Sequence, residues 1–389
     1  MASSFLAPGR TDPRPADLEI PILPFPAALA SAPAIIPARW IALGIVASAL
    51  VVGLLMMRAG LTLTMPAALS TAIGLALVAA TAAHFRLRRP AAAWQRIARD
   101  AIEYVALFAA ICLIGAVASY AVAANSSGFA DRSLEAMDHA LRFDWLRWYA
   151  FEVAHPALEP LSRAAYQSIF VTPALLLGYF AWSGRKAEAR RFIAAFWLGA
   201  CITLLLFVAF PAEGPLAFLW HGRIPYMPES ALYQRALIPA LRDHAVHTVP
   251  LTALRGLVGA PSFHTVSALL YVAAAWPIAR LRWPILALNA AMLLATPVEG
   301  THYLTDMLAG ALVAIGAWTA VSVLAVKVLA RHPDESQDPL TEPVDQTEPT
   351  DSGSTLAFLR LSSSAARLVE AESIAESIAR ESRRRANGS

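Results

Sequence analysis

The feature of this sequence that most constrains its fold is a series of long apolar runs separated by short polar segments. A helix needs ~20 apolar residues to cross ~30 Å of hydrocarbon. By that measure the sequence predicts an all-α fold, a polytopic membrane helix bundle of about eight transmembrane helices with flexible tails. The predicted spans are residues 39–57, 62–84, 101–124, 164–182, 191–210, 262–281, 283–298 and 302–326.

Composition supports a membrane protein over a soluble one. Of the 389 residues 57% are hydrophobic and only 15% are charged, whereas soluble domains carry about 25% charged residues. The net charge of +3 comes from basic residues spread over several loops, which argues against a nucleic-acid partner. Cys112 and Cys201 both lie inside apolar runs, so they are expected to pack as small hydrophobic groups. The expected partner is therefore the lipid bilayer.

Four segments are predicted along the chain. Residues 1–37 are rich in proline and alanine and predict a disordered or surface-lying tail without an apolar helix or signal peptide. Residues 38–127 predict the N-terminal transmembrane helices, and residues 128–330 a membrane domain that carries the motifs described below. Residues 331–389 predict a flexible cytoplasmic tail, in which 362–386 is compatible with a helix.

The segment before the fourth span is rich in acids and aromatic residues. In residues 131–159, apolar side chains recur at helical spacing, and the tryptophans suit the headgroup level. The pattern predicts one amphipathic helix lying at the membrane interface. An ordinary packed loop helix fits the same pattern.

The distribution of lysine and arginine predicts the orientation. The loops after spans two, four and six are short and basic, so they are expected in the cytoplasm. With eight spans, both termini would then be cytoplasmic in a multi-pass protein of the cytoplasmic (inner) membrane. The end of span five and the starts of spans six and eight would meet on the extracytoplasmic face.

Two short motifs at those span starts predict the chemistry: Pro261-Ser262-Phe263-His264-Thr265 and Gly300-Thr301-His302-Tyr303-Leu304-Thr305-Asp306. Polar groups at a membrane boundary indicate a functional site. His302 and Asp306 are four residues apart, which on a helix places them on one face with ~6 Å of rise. A carboxylate that binds one imidazole nitrogen fixes the tautomer and leaves the other nitrogen free to attack. His264, on a different helix, is predicted to protonate the leaving group as a general acid.

Five neighbouring residues are predicted to bind substrate. A helix N-terminus favours phosphate, and the hydroxyls of Ser262 and Thr265 would add donors there. Tyr166 at the start of span four would reach the site from the side, while Glu299 and Thr301 flank His302 and would contact an acceptor hydroxyl. No cofactor is expected for this chemistry.

Two alternatives remain open at this point. In a transporter or structural membrane protein, the His and Asp residues would line a pathway without catalysis, although transporter sites lie near the middle of the membrane. In a metal-dependent hydrolase, His264, His302 and Asp306 would act as ligands, for instance to zinc.

At these residues the chain resembles the type-2 phosphatidic acid phosphatase superfamily of membrane lipid phosphatases and phosphotransferases. Within it, the chain is more similar to the inositol phosphorylceramide synthase (inositolphosphotransferase) branch, through the phrases at 261–264 and 300–310. The resemblance covers roughly residues 130–325 and implies a bundle of membrane helices. It also implies that His302 forms a phosphohistidine, that Asp306 orients it, that His264 is the acid, and that no metal is required. The implied partner is a membrane lipid: a phospholipid, a lipid phosphate or a ceramide-type acceptor.

The sequence departs from that family in its basic residues. The family's Lys-x6-Arg-Pro motif is not found on the predicted extracytoplasmic side, and Ala295 and Thr296 stand where the family usually has Ser-Arg before the second histidine. The long 211–261 loop offers four substitutes, none preferred by sequence: Arg223, Arg235, Arg242 and Arg255.

Overall fold

The computed structural model describes residues 36–230 and 232–331. The predictions for the N-terminal tail before residue 36 and for the tail after residue 331, including the helix at 362–386, lie outside the described residues. The described helices are α1 (Ala38–Arg58), α2 (Ala67–Arg86), α3 (Ala93–Ala124), α4 (Asp131–Ala140), α5 (Trp145–Ala154), α6 (Glu159–Ser183), α7 (Lys186–Ala209), α8 (Pro215–Leu219), α9 (Tyr233–Arg242), α10 (Phe263–Ala275), α11 (Arg282–Glu299) and α12 (Leu304–Arg331). Two short strands, β1 (Thr62–Thr64) and β2 (Thr248–Pro250), pair in parallel with Leu63 opposite Val249.

Six helices in the described part of the chain are long and apolar enough to cross a membrane: α1, α2, α3, α6, α7 and the Leu304–Ala325 part of α12. Large apolar side chains point outward from them, such as Leu54 on α1 and Leu312 on α12. Apolar surface of this extent suits lipid rather than water. The predicted all-α membrane bundle is therefore confirmed.

The sixth and seventh predicted spans are shorter than the other six. α10 has 13 residues and α11 has 18, so they are ~20 Å and ~27 Å long at ~1.5 Å per residue. The predicted span 262–281 ends early because Pro277 follows the last turn of α10 and cannot continue it. The described residues thus contain six long apolar helices and a shorter helical pair instead of eight full spans.

The main core lies around α7. Buried Phe192, Ile193 and Phe196 of α7 belong to the same apolar cluster as Leu270 and Tyr271 of α10. α7 also packs against α3 and α12, while α6 packs against α11. These contacts hold α10, α11 and α12, the helices next to the two motifs, in one bundle.

The region predicted as one amphipathic helix at 131–159 is two helices, so that prediction is corrected. Arg142 has a positive φ of 60° between α4 and α5, a conformation that a right-handed helix cannot include. Asp144 then caps α5 by accepting a hydrogen bond from the backbone N–H of Arg147 at 3.1 Å. The second predicted span is also shortened at its start, because β1 occupies residues 62–64 and α2 begins after Pro66.

Both motifs lie at one end of the bundle. There α6, α10 and α12 begin, and α3, α7 and α11 end. Backbone hydrogen bonds join the segments at this end: Ala130 donates to Pro211 at 2.8 Å, and Ser262 donates to Asp306 at 3.1 Å. The two motifs are therefore neighbours although 38 positions separate His264 from His302.

Candidate active site

His302 and Asp306 are brought together at the start of α12. His302 lies in the short connection between α11 and α12, before the helix begins at Leu304, rather than on the helix as the sequence analysis expected. Asp306 is in the first turn, where its Oδ2 accepts the backbone N–H of Tyr303 at 2.8 Å. This is the reciprocal half of a capping box, in which an acidic side chain satisfies a free N–H at the helix start. Its other oxygen, Oδ1, lies 3.0 Å from Nδ1 of His302.

The two side chains of this pair are almost completely buried, His302 at 3% and Asp306 at 2% exposure. Their 3.0 Å contact lies outside the geometry of an aligned hydrogen bond, and neither facing atom has another hydrogen-bond partner among the described residues. Catalytic hydrogen bonds are often loose in the unliganded state and tighten with substrate. Because Nδ1 faces the carboxylate, Nε2 is the nitrogen of His302 that remains for another group.

His264 reaches the same place from the first turn of α10. Its ring centroid is 6.1 Å from that of His302, with an angle of 57° between the rings. The His264 ring stacks on Tyr166 of α6 at 4.1 Å, and its Nδ1 lies 3.3 Å from the Tyr166 hydroxyl. Tyr166 therefore fixes the plane of the His264 ring. Because its hydroxyl contacts Nδ1, Nε2 is the nitrogen of His264 that remains for other groups.

Two glycines allow these elements to approach so closely. A Cβ at Gly310 of α12 would lie 2.5 Å from the carbonyl oxygen of Ser262, at the start of α10. A Cβ at Gly300 would lie 2.5 Å from Cδ2 of His302 and 3.1 Å from the Tyr166 ring. A side chain at Gly310 would therefore push the starts of α10 and α12 apart, and one at Gly300 would displace the His302 ring.

Two carboxylates of α4, Asp131 and Asp138, accept hydrogen bonds from residues of the second motif. The sequence analysis did not single them out. Asp138 accepts the backbone N–H groups of Leu304 and Thr305 at 2.9 and 2.8 Å, and also the Thr305 hydroxyl. It therefore caps α12 from a different helix.

Asp131 lies about two turns before Asp138 on the same face of α4. It joins the same motif to the loop after α7. It accepts the backbone N–H groups of Glu213 and Gly214 and the Tyr303 hydroxyl, each at 3.0 Å. Burial and the Asp131 carboxylate raise the pKa of Tyr303, so its hydroxyl stays protonated and donates. The available sequence signal was two acids seven positions apart, and therefore on one helix face, at the start of the predicted membrane domain.

Glu299 and Thr301 are placed in structural contacts rather than on the cavity described below. The fully buried Glu299 carboxylate accepts the Tyr226 hydroxyl and the backbone N–H of Glu229, the latter at 2.9 Å. The Thr301 hydroxyl lies 3.2 Å from that of Ser230. Both residues thus attach the 226–230 segment to the connection that carries His302.

Ser262 and Thr265 are likewise buried at the start of α10. Ser262 is the N-cap residue, and its hydroxyl accepts the Thr265 N–H at 3.4 Å. The Thr265 hydroxyl is buried without a hydrogen-bond partner among the described residues. Of the five residues predicted to bind substrate, Tyr166 is the one that lines the cavity.

A cavity of about 530 Å³ opens beside the histidines. His264, His302, Gly300 and Tyr166 line it where the two motifs meet. Further polar lining comes from the 229–256 region and from three helices: Glu229, Ser230, Tyr233, Gln234, Arg255, Ser119, Gln167 and Thr203. The remaining wall is largely apolar and includes Phe108, Ile111, Cys112, Phe170, Phe196 and Leu204. On α3 the lining runs from Ser119 to Phe108, ~16 Å along the axis at ~1.5 Å per residue.

The donor set does not fit a metal centre well. Within residues 36–230 and 232–331, no three His, Cys, Asp or Glu side chains are grouped so that they could hold a metal ion. The Nδ1 atom of His302 faces Asp306 rather than a shared point with His264. The arrangement instead fits two imidazoles that act on one substrate atom, one of them oriented by a carboxylate.

Comparison with the curated proteins and with the solved structures gives no match. Comparison with family models gives one, over residues 132–320. That segment contains Tyr166, His264, His302 and Asp306, together with the capping residue Asp138. The segment that carries the site therefore matches the family model described as the PAP2 superfamily.

Proposed function

We propose that this protein is an integral membrane enzyme that transfers a phosphoryl group from a lipid phosphate or a phospholipid headgroup through a phosphohistidine. The observation that carries the proposal is the position of the His302 and His264 rings, 6.1 Å apart on one cavity, with Asp306 at 3.0 Å behind His302. Two imidazoles this close on one cavity can both contact one bound phosphate. The match to the PAP2 superfamily supports a phosphatase-type or phosphotransferase-type reaction.

In the first step, Nε2 of His302 attacks phosphorus while the bond from phosphorus to the lipid or headgroup oxygen breaks. The electron pair of that bond goes to the leaving oxygen, which takes a proton from His264. Asp306 holds the Nδ1–H of His302 and stabilises the positive charge that develops on the ring. The product of this step is a phosphohistidine at His302 and a free alcohol.

In the second step, an oxygen nucleophile attacks the phosphohistidine. His264, now neutral, accepts the proton of this nucleophile, and the phosphorus–nitrogen bond breaks to restore His302. Water as nucleophile makes the enzyme a phosphatase, and an alcohol makes it a transferase. The resemblance at 261–264 and 300–310 favours a transferase of the inositolphosphotransferase type, with a sphingolipid such as ceramide as the acceptor.

The surroundings of the cavity support a lipid substrate. Its polar end lies where the helices begin and end, and its apolar wall follows the middle of α3 and α7. An amphiphile would place its phosphate at the histidines and its chain among the apolar side chains. Ionisable residues at helix ends also favour an enzyme over a transporter, whose binding site would lie near the midplane. The basic loops after α2, α6 and α10 lie at the opposite end of the bundle, which supports an active site on the extracytoplasmic face.

The experiment is turnover of labelled donors by purified protein in lipid–detergent micelles. Phosphatidic acid, a polyprenyl diphosphate, and phosphatidylinositol with ceramide would be compared, each with the wild type and with His302→Ala. We expect one donor to be consumed, with loss of about 10²–10⁴-fold in the variant. A phosphorus label that stays on the wild-type protein after rapid denaturation, and is absent from His302→Ala, would identify the covalent intermediate.

The role of His264 has its own test. His264→Ala should slow an alkyl phosphate far more than a nitrophenyl phosphate, because a good leaving group needs no proton. Equal losses on both substrates would contradict the general-acid assignment. Unchanged turnover in His302→Ala would remove His302 as the nucleophile, and no turnover of any donor would overturn the enzymatic proposal.

A further inference from the structure

We propose that Arg255 is the cation that binds the phosphoryl group in the cavity. This inference rests on the proposed function, because it names the residue that neutralises the substrate of the same site. A phosphate brought next to two imidazoles carries negative charge that has to be balanced in a cavity with a largely apolar wall. Ala295 and Thr296, which precede His302, are buried, and the Thr296 hydroxyl already donates to the Met292 carbonyl at 2.7 Å. The charge has to come from elsewhere in the chain.

Arg255 is the only lysine or arginine among the described residues that line the cavity. It shares that lining with His264 and His302. None of the salt bridges found among the described residues involves Arg255. Arg255 is an exposed residue without a salt-bridge partner there, so its positive charge is available to a ligand.

Three other arginines at this end of the bundle have partners. Arg235 donates to the Ala217 carbonyl at 2.9 Å and pairs with Glu213 at 3.4 Å. Arg242 donates to Ser126 and to the Gly128 carbonyl. Arg163 donates to Tyr226 at 3.1 Å and lies 3.5 Å from Glu229. Arg223 does not line the cavity, so among the four arginines of the 211–261 loop Arg255 is the one that does.

Arg255 is also held in a suitable position. Its backbone N–H donates to the Tyr120 hydroxyl at 3.0 Å, which anchors the loop to the end of α3. The guanidinium carbon lies 4.9 Å from the centre of the Tyr233 ring, and the Tyr233 hydroxyl donates to the neighbouring Gly256 carbonyl at 3.1 Å. A guanidinium on an aromatic face keeps the N–H donors at its edge free, and these donors fit two phosphate oxygens at once.

A second polar group marks the same end of the cavity. Gln234 is 5% exposed, lines the cavity, and its Oε1 atom has no hydrogen-bond partner among the described residues. Buried polar atoms are nearly always paired, so an unpaired one beside a cavity points to a ligand that completes it. Gln234 follows Tyr233, whose ring contacts the Arg255 guanidinium, so Gln234 and Arg255 together offer a polar subsite in the cavity lining.

The test compares Arg255→Gln and Arg255→Lys with Arg223→Gln, a control that removes the same charge from the same loop away from the cavity. Binding of inorganic phosphate and of orthovanadate would be measured by titration of purified protein, and binding of a lipid phosphate in mixed micelles with the His302→Ala background. We expect Arg255→Gln to weaken all three by about 10–100-fold, the effect of losing a charge-assisted pair of hydrogen bonds. Arg255→Lys should recover part of the loss, and Arg223→Gln should bind like the wild type.

Kinetics add a second measurement on the same variants. Arg255→Gln should raise KM for the lipid phosphate, whereas His302→Ala removes turnover. Phosphate and vanadate binding that is unchanged in Arg255→Gln, or equally weakened in Arg223→Gln, would overturn the inference. Loss confined to the lipid phosphate would also overturn it, because it would show that Arg255 recognises another part of the lipid. The binding arm needs no turnover, so it decides the role of Arg255 even where the proposed reaction fails.

Discussion

Asp138 on α4 accepts both the backbone N–H and the hydroxyl of Thr305, the residue that precedes Asp306 in the first turn of α12. The carboxylate is fully buried, so these hydrogen bonds are not shared with water. A helix start has several free N–H groups, and here another helix satisfies them. The position of Asp306, and through it the orientation of His302, thus depends on the docking of α4.

The first prediction concerns this cap. Asp138→Ala should lower the free energy of unfolding by about 1–3 kcal/mol, because it leaves buried N–H groups unpaired. It should also lower kcat, because the first turn of α12, which carries Asp306, becomes less well ordered. Thermal unfolding and turnover would be measured on the same preparation.

The control for that prediction is Asp144→Ala at the exposed cap of α5. Asp144 bonds to the Arg147 N–H at 3.1 Å, so its loss should cost about 0.5–2 kcal/mol while turnover of the folded protein stays the same. Equal turnover in both variants would show that capping by Asp138 serves stability alone.

A second prediction concerns the contact between α10 and α12. Gly310→Ala would place a Cβ 2.5 Å from the Ser262 carbonyl oxygen, so the helices must separate. We expect a loss of about 1–3 kcal/mol in stability, as for other overpacked sites, together with reduced turnover. Gly316→Ala on the same helix is the matched control, because its Cβ would have no neighbour within 4 Å. That control should be neutral or stabilising by up to about 1 kcal/mol, and a similar result for both variants would contradict the close approach.

A third prediction concerns the segment 226–230. The Tyr226 hydroxyl donates to Glu299 and accepts from Arg163, and burial raises its pKa so that it stays a donor at neutral pH. Tyr226→Phe should destabilise the protein by about 1–3 kcal/mol, because buried Glu299 loses a partner. It should also raise KM, since Glu229 and Ser230 of this segment line the cavity. Tyr179→Phe is the comparison, because Tyr179 is a tyrosine on α6 whose hydroxyl makes no hydrogen bond within the described residues. Unchanged KM in Tyr226→Phe would show that the 226–230 segment does not contribute to substrate binding.

A fourth prediction separates imidazole catalysis from a metal-dependent reaction. Turnover should survive prolonged dialysis against a strong chelator, since His302 is paired with Asp306 and the chemistry proposed for it needs no ion. Activity lost on dialysis and restored by zinc would instead support the hydrolase with His264, His302 and Asp306 as ligands. Metal content of the dialysed protein, measured beside the assay, decides which case applies.

A fifth prediction tests the orientation. With Cys112 and Cys201 replaced by alanine, a cysteine introduced at Gly222 should react with an impermeant thiol reagent on intact cells. Gly222 lies on the loop next to the active-site end, and a Cβ there would make no close contact. A cysteine at exposed Ala91, on the opposite basic loop, should react only after the membrane is opened. The reverse labelling pattern would place the site in the cytoplasm.

Much of the fold follows from local properties of the chain. Apolar runs long enough to span lipid predict helices directly, because backbone groups in hydrocarbon have to be paired within the segment. Boundaries were less predictable where a single residue changes the backbone, as at Pro277 after α10 and Arg142 between α4 and α5. The short pairing of β1 with β2 joins segments about 185 residues apart and has no local signal.

The candidate site divides in the same way. The two motifs identify His264, His302 and Asp306 because polar groups are rare at the ends of apolar helices. Four of the five residues expected to contact substrate, Ser262, Thr265, Glu299 and Thr301, lie instead in buried structural positions. Their position next to a histidine in the sequence did not indicate whether their side chains would face the cavity.

The sequence alone determined the class of the fold and the side chains able to perform chemistry, because hydrophobic length and residue type are local properties. Tertiary structure decided which groups meet: Asp138 with the start of α12, Tyr166 with His264, and Arg255 with the cavity. These partners come from distant parts of the chain. Their encounter depends on how helices and loops pack at one end of the bundle, and no spacing within the sequence encodes that packing.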